Sequence, residues 1–148
     1  INSRMYADAA SLYRSCLNGV YESDPEIRFG LASAHLLNGS HSEALAIAQK
    51  LRETHPAFRT AEVGMALAKS HEGAGNLDAA LAEYKVLADT YPGEEGRWRY
   101  AALLARLNRG ADAQDVLHRM LRNAERMPGH YHEAQGEWLK LARQHLQA

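Results

Sequence analysis

Two stretches with the same layout decide the fold of this chain. They read LLNGSHSEALAIAQKLRETHP at residues 36–56 and GAGNLDAALAEYKVLADTYP at residues 73–92. When they are aligned on their final prolines, a glycine, an alanine and the proline coincide at a shift of 36 residues. The coinciding pairs are Gly39 with Gly75, Ala44 with Ala80, and Pro56 with Pro92. A fixed shift of this length predicts a repeated structural unit.

Two further copies extend the repeat toward both ends of the chain. The stretch RLNRGADAQDVLHRML at residues 106–121 places Asn108 in the glycine position and Ala113 in the alanine position. Asn is second to Gly in adopting the left-handed backbone that ends a helix. A half copy, RMYADAASLYRSCL at residues 4–17, has Ala9 in the alanine position and Tyr13 four residues later. The repeat therefore covers nearly the whole chain.

The repeated unit is helical. Val and Ile are scarce whereas Leu and Ala are abundant, which favours helices over strands. Apolar residues recur at helical spacing between the prolines, and each proline marks a helix boundary. We predict helices near 6–18, 26–38, 41–54, 60–73, 77–90, 94–107, 111–126 and 130–146. Small residues at equivalent positions would let paired helices cross closely: Ala32, Ala44, Ala68, Ala80, Ala101 and Ala113.

These residues resemble the tetratricopeptide repeat family, whose unit is a pair of antiparallel helices. The turn glycine, Ala44 or Ala80, Tyr84 and the late proline match the family pattern, whereas the family's tryptophan position holds Arg28, Gly64 or Arg97. The resemblance implies an all-α, right-handed helical-repeat solenoid. We expect one domain over 1–148, with a half repeat at 1–24, repeats at about 25–60, 61–93 and 94–127, and a capping helix at 129–148.

The two ends of the repeat array differ from its middle. Trp138, Leu141 and Ala142 resemble the opening of a further repeat, and we expect this last helix to cover the third repeat. At the other end the helix near 6–18 lacks the first helix of its repeat. We therefore expect the chain to start inside a longer solenoid, and the uncovered face of this helix to favour a homo-oligomer.

Charge and hydropathy exclude several partner classes. The net charge of the 148 residues is −1, so we expect no nucleic acid partner, although seven arginines at 97–126 make that stretch basic. RNA binding through Arg97, Arg99, Arg106, Arg109, Arg119 and Arg122 is the alternative, but only Trp98 and Tyr100 offer stacking rings there. Apolar runs are too short to insert into a membrane. We expect this segment in the cytoplasm.

No set of residues converges on chemistry. His35 and His71 share a position that Leu104 fills in the third repeat, which indicates packing rather than metal binding. His130 and His132 are two residues apart and point to different sides of a helix. Cys16 is alone and is interpreted as a small core residue. We expect no catalytic residue, no metal and no cofactor, and therefore no enzyme.

One stripe of the first helices is the candidate binding surface. In the family that the chain resembles, this stripe lines a concave groove for a peptide or helix of a partner. The candidate groove residues are Phe29, Ser33, Leu36, Met65, Lys69, Glu72, Trp98 and Arg106. The same large side chains could instead pack against neighbouring helices. Phe29 and Ser33 replace the Lys and Asn with which some members bind a carboxylate, so that role is not expected.

The leading hypothesis is a protein–protein interaction scaffold that binds an unidentified protein or peptide through its concave face and performs no catalysis. The alternative is a structural or self-associating module of a larger, membrane-anchored or enzymatic protein, whose active part lies upstream of Ile1. Glu26, Glu62 and Glu95 also recur at the starts of three helices. Carboxylates at helix N-termini are favourable without any functional role.

Overall fold

The computed structural model describes residues 3–16 and 24–148, and within them every regular element is an α-helix. The helices are α1 (Ser3–Cys16), α2 (Pro25–Leu37), α3 (His41–Thr54), α4 (Thr60–Gly73), α5 (Leu77–Thr90), α6 (Glu95–Arg106), α7 (Gly110–Ala124), α8 (Gly129–Ala134) and α9 (Gly136–Gln147). The prediction of an all-α helical repeat is confirmed. We call α2, α4 and α6 the opening helices of the three predicted repeats, and α3, α5 and α7 the closing helices. The side chain of Cys16 lies outside the described residues.

The turn inside each repeat has the backbone that its sequence predicts. Gly39, Gly75 and Asn108 adopt φ angles of 80°, 85° and 63°, in the left-handed region that Gly and Asn tolerate. A backbone hydrogen bond of 2.8–2.9 Å closes each turn, from Ser40 to His35, from Asn76 to His71 and from Arg109 to Leu104. These amides satisfy carbonyls that the helix end leaves unpaired. The three turns therefore end the opening helices in the same way.

The small residues predicted at helix crossings are all buried. Ala32, Ala44, Ala68, Ala80 and Ala113 are 0% exposed, and Ala101 is 1% exposed. A larger side chain in a fully buried position would have to displace its neighbours, which typically costs about 1–3 kcal/mol. The repeated alanine is thus a packing requirement of the fold.

The chain divides into two compact units, Ile1–Glu83 and Tyr84–Ala148. In the first unit α2 contacts α1, α3 and α4, and α3 also contacts α4. The ring of Tyr13 lies over Gly30, where any β-carbon would overlap it. A buried cluster of Ala48, Val63, Ala66 and Leu67 joins the helices α3 and α4.

In the second unit α6 contacts α7, and α9 contacts α6, α7 and α8. The predicted single helix at 130–146 is wrong, because the structure breaks it at Gln135 into α8 and α9. The side-chain oxygen of Gln135 accepts a 2.8 Å hydrogen bond from the Glu94 amide, and Gly136 follows the break. Gly has low helix propensity, so the chain loses little by leaving the helix there. Leu139 and Ala142 of α9 are buried against the unit.

Candidate partner-binding site

The apolar part of the predicted stripe in the first unit is used for packing. Phe29 and Leu36 of α2 pack against the buried cluster of Ala48, Val63, Ala66 and Leu67. The Phe29 ring also contacts Phe58 edge to face, with ring centroids 6.2 Å apart. Met65 is only 4% exposed. These side chains hold the helices of the first unit together and leave little apolar surface for a partner in this conformation.

Arg59 covers the outer side of the Phe29 and Phe58 rings. Its guanidinium carbon lies 5.6 Å and 5.7 Å from the two ring centroids. The same group donates to Glu26 at 3.1 Å and to Glu62 at 2.6 Å. Two of the three acidic residues that recur at helix starts are therefore joined by one arginine, and the third, Glu95, accepts a 2.7 Å bond from Arg99. Each of these three carboxylates is therefore paired with an arginine.

The remaining stripe residues of the first unit are polar. Ser33, Lys69 and Glu72 are half-buried on α2 and α4. In the second unit, Trp98 is half-buried and its ring contacts the His145 ring of α9 edge to face, 6.1 Å between centroids. Arg106 is exposed at the end of α6. A binding role for these residues stays a prediction, and Ser33, Lys69, Glu72 and Arg106 retain accessible surface for it.

The second unit contains a cleft that the sequence did not predict. It has a volume of about 320 Å³ and lies among the C-terminal half of α5, the helix α6 and the helix α7. Lys85 and Asp89 stand on the α5 side, and Asp112, Asp115 and Arg119 on the α7 side. The three α7 residues are exposed and fall on one face of the helix, at i, i+3 and i+7 spacing. This spacing of charged residues on α7 is visible in the sequence and is the signal that could have indicated the cleft.

The floor of the cleft is apolar and its walls are charged. Tyr100, Leu104, Val116 and Met120 line it, and Leu104 and Met120 are 0% exposed. Arg109 pairs with Asp112 at 2.9 Å, across one turn of α7. Lys85, Asp89, Asp115 and Arg119 make no ion pair within the described part of the chain. An apolar floor between walls of both charge signs suits an extended polypeptide with apolar and charged side chains.

One end of the cleft is held by a buried cluster. Arg97 lines the cleft and pairs with Glu94, and it also donates to the Gly93 carbonyl at 3.1 Å. Glu94 is 2% exposed, and the Tyr131 hydroxyl donates to its Oε1 atom at 2.9 Å. Burial, together with the neighbouring Glu94 carboxylate, raises the pKa of Tyr131 to about 12. This cluster ties α8 to the start of α6 and fixes the Arg97 side chain.

The described residues contain no group of three or more His, Cys, Asp or Glu side chains that could hold a metal ion. No helix within that same part of the chain is both long and apolar enough to cross a membrane.

Comparison with known proteins identifies the repeat. Residues 62–93, which include most of α4 and all of α5, match the family model of the tetratricopeptide repeat. The chain matches none of the curated proteins with which it was compared. Repeats of this family generally mediate protein–protein interaction, and they typically serve as scaffolds without catalytic activity. The chain is thus identified as a protein that carries a tetratricopeptide repeat within an all-α helical array.

Proposed function

We propose that this protein binds a peptide segment of a partner protein in the cleft of its second unit, as a scaffold without catalytic activity of its own. The tetratricopeptide repeat supports the general role, because such repeats bind protein partners. The observation that carries the location is the cleft of about 320 Å³ with an apolar floor and charged walls. The stripe predicted on the opening helices α2, α4 and α6 is the competing location.

The cleft favours a peptide that carries both charge signs. Arg119 and Lys85 can pair with acidic side chains of the ligand, and Asp89 and Asp115 with basic ones. Tyr100 and Val116, which line the cleft and are half-buried, offer a surface for one apolar side chain. A ligand with both charge signs can place an opposite charge beside each charged side chain of the cleft. A uniformly acidic or basic segment would instead bring like charges together at some of them.

The test is a selection from a displayed library of random peptides, followed by affinity measurement with fluorescently labelled synthetic copies. We expect selected peptides to combine acidic, basic and apolar residues. Arg119→Glu, inside the cleft, should weaken binding about tenfold or more, because it reverses a charge at the contact. Arg122→Glu is the matched control, since Arg122 is exposed on the same helix and does not line the cleft.

A third variant separates the two locations. Lys69→Glu reverses a charge on the α4 stripe without touching the cleft. Loss of binding in Lys69→Glu but not in Arg119→Glu would move the site to the stripe. Equal binding by all three variants, each shown to be folded by circular dichroism, would contradict both locations.

A further inference from the structure

Arg97 belongs both to the cleft and to the buried cluster beside it. It lines the cleft, and its side chain is 29% exposed. Its Nη1 atom donates to the Glu94 carboxylate and, at 3.1 Å, to the Gly93 carbonyl. A guanidinium has more N–H donors than these bonds use, so others remain for a ligand. Lys85 and Arg119 are exposed on the walls, so Arg97 differs from them in having a buried partner that orients it.

The groups that orient Arg97 are held in turn by a segment that does not line the cleft. The Tyr131 hydroxyl donates at 2.9 Å to the Oε1 atom of Glu94, the same oxygen that accepts from Arg97. The side-chain oxygen of Gln135 accepts a 2.8 Å bond from the Glu94 amide. The Gln135 side chain also lies against Gly93, where any β-carbon would overlap it. The segment from Tyr131 to Gln135 therefore fixes both acceptors of Arg97.

The short helix α8 depends on this cluster for its position. None of its residues, Gly129–Ala134, is buried, and all of them lie in the described part of the chain. An element that buries little apolar surface opens locally at a low cost in free energy. The bonds from Tyr131 and Gln135 to Glu94 therefore hold α8 against the start of α6.

We propose that docking of α8 and binding of an acidic side chain of the peptide to Arg97 are coupled. The docked α8 fixes Glu94 and Gly93, and these orient Arg97 for a ligand carboxylate, so less conformational freedom is lost on binding. The Tyr131 hydroxyl is also a second donor to Glu94, which leaves Arg97 less committed to Glu94 when a ligand binds. Arg97 thus selects an acidic side chain at this end of the cleft, and Tyr131 is a positioning residue.

This inference rests on the proposed function, because it concerns the same cleft. Coupling between two sites is reciprocal. A peptide that binds Arg97 therefore stabilises the docked α8 by the same factor by which docking strengthens the binding of that peptide. A peptide without an acidic side chain at Arg97 gains nothing from the docked helix.

The test compares a peptide selected for the cleft with copies in which one Asp or Glu at a time is replaced by Asn or Gln. We expect Tyr131→Phe to bind the selected peptide about fivefold more weakly, or worse. The copy that lacks the acidic residue at Arg97 should bind the wild type and Tyr131→Phe equally. A purely structural effect of the substitution would instead weaken the binding of every copy by the same factor. Glu133→Gln is the matched control, since Glu133 is exposed on the same helix and is not part of the cluster.

Hydrogen exchange of the unaltered chain, measured by mass spectrometry, tests the same coupling without a substitution. Saturation with the selected peptide should slow exchange of the α8 amides about fivefold or more. Saturation with the copy that lacks the acidic residue at Arg97 should slow it less. This measurement decides the matter even if Tyr131→Phe does not fold.

The failure of this coupling can be told apart from the failure of the cleft. If Arg119→Glu weakens peptide binding, but Tyr131→Phe weakens the binding of every copy equally or of none, the coupling is wrong and the cleft remains the binding site. Unchanged exchange of the α8 amides at saturation has the same meaning. If neither Arg119→Glu nor Tyr131→Phe changes the binding of any peptide, the cleft is not the site and both proposals fail.

Discussion

His35 shows how a polar side chain can occupy a buried packing position in this repeat. His35 is 6% exposed, and its Nε2 atom lies 3.5 Å from the Arg14 guanidinium, so Nε2 accepts and Nδ1 carries the proton. Nδ1 has no hydrogen-bond partner within the described residues. Leu104 occupies the equivalent position in the third repeat and is also buried. His35 is therefore a packing residue that is kept neutral, in agreement with the interpretation from the sequence.

The neutral state of His35 predicts a loss of stability in acid. Burial lowers the pKa of His35, the neighbouring Arg14 charge lowers it further, and Glu43 acts in the opposite direction. As the pH falls through about 6.5, the unfolded chain takes up a proton that the folded chain resists, so the free energy of unfolding decreases. We expect this decrease to be smaller in His35→Leu, measured by urea denaturation at a series of pH values.

An exposed glutamine provides the control for that measurement. Gln49→Leu on α3 removes no titratable group, so it should leave the pH dependence of stability as in the wild type. An unchanged acid slope in His35→Leu would show that the His35 imidazole is as free to ionise in the folded chain as in the unfolded one.

At the scale of the helix, the start of α2 illustrates why its boundary was predictable. Asp24 accepts from the backbone amides of Glu26 and Ile27 at 2.9 Å and 3.4 Å, and Pro25 is the first helical residue. These bonds satisfy amides that have no partner inside the helix. Ser40, before α3, makes no such bond, so a favourable residue type at a helix start does not by itself ensure a cap.

Removal of the Asp24 cap should destabilise the chain. We expect Asp24→Ala to lower the free energy of unfolding by about 0.5–2 kcal/mol, measured by urea denaturation, because two amides lose their acceptor. Ser40→Ala should cost less, since its hydroxyl only accepts a 3.3 Å bond from the Asn38 side chain. Equal losses of unfolding free energy in the two variants would mean that the Asp24 hydrogen bonds stabilise the chain no more than the Ser40 hydroxyl does.

At the scale of the molecule, contacts between residues far apart in sequence position the end of the chain. Tyr131 and Gln135 of the C-terminal segment both bond Glu94, about 40 residues earlier. The Oε2 atom of Glu94 is buried without a partner in the described structure, so the carboxylate depends on Arg97 and Tyr131 at Oε1. This cluster decides where α8 ends and how α9 begins.

Loss of the Tyr131 hydroxyl should weaken the second unit. We expect Tyr131→Phe to lower the free energy of unfolding by about 1.5–3 kcal/mol, because a hydrogen bond to a buried carboxylate is lost. Tyr6→Phe, which removes a hydroxyl from half-buried Tyr6 on α1, is the control and should change stability little. A Tyr131→Phe variant as stable as the wild type would show that the bond does not contribute.

The same tyrosine should be visible in an alkaline titration. Its pKa of about 12 lies above the ordinary 10, so the unfolded chain releases this proton first and stability falls as the pH rises from 10 toward 12. The loss should be smaller in Tyr131→Phe. When phenolate absorbance is followed against pH, the difference between the wild type and Tyr131→Phe is the titration of Tyr131. We expect the midpoint of that difference near 12, and a midpoint near 10 would contradict the shift.

The sequence alone determined the features that depend on local chemistry. The spacing of Gly39, Gly75 and Asn108 predicted the turns, because only Gly and Asn adopt that backbone readily. The six alanines predicted the buried crossings, since helix periodicity places them on the contact face. Repetition made these inferences strong, as each position was seen several times.

Only the tertiary structure decided which apolar side chains are accessible and where charged ones gather. From the sequence, Phe29 and Met65 could face either a groove or a neighbouring helix. Their helices are apolar on several sides, so helical periodicity does not distinguish the two orientations. The cleft joins Lys85, Tyr100 and Arg119 from three helices, and the break at Gln135 follows from its bond to Glu94. Such groupings arise from contacts distant in sequence, which a local pattern does not encode.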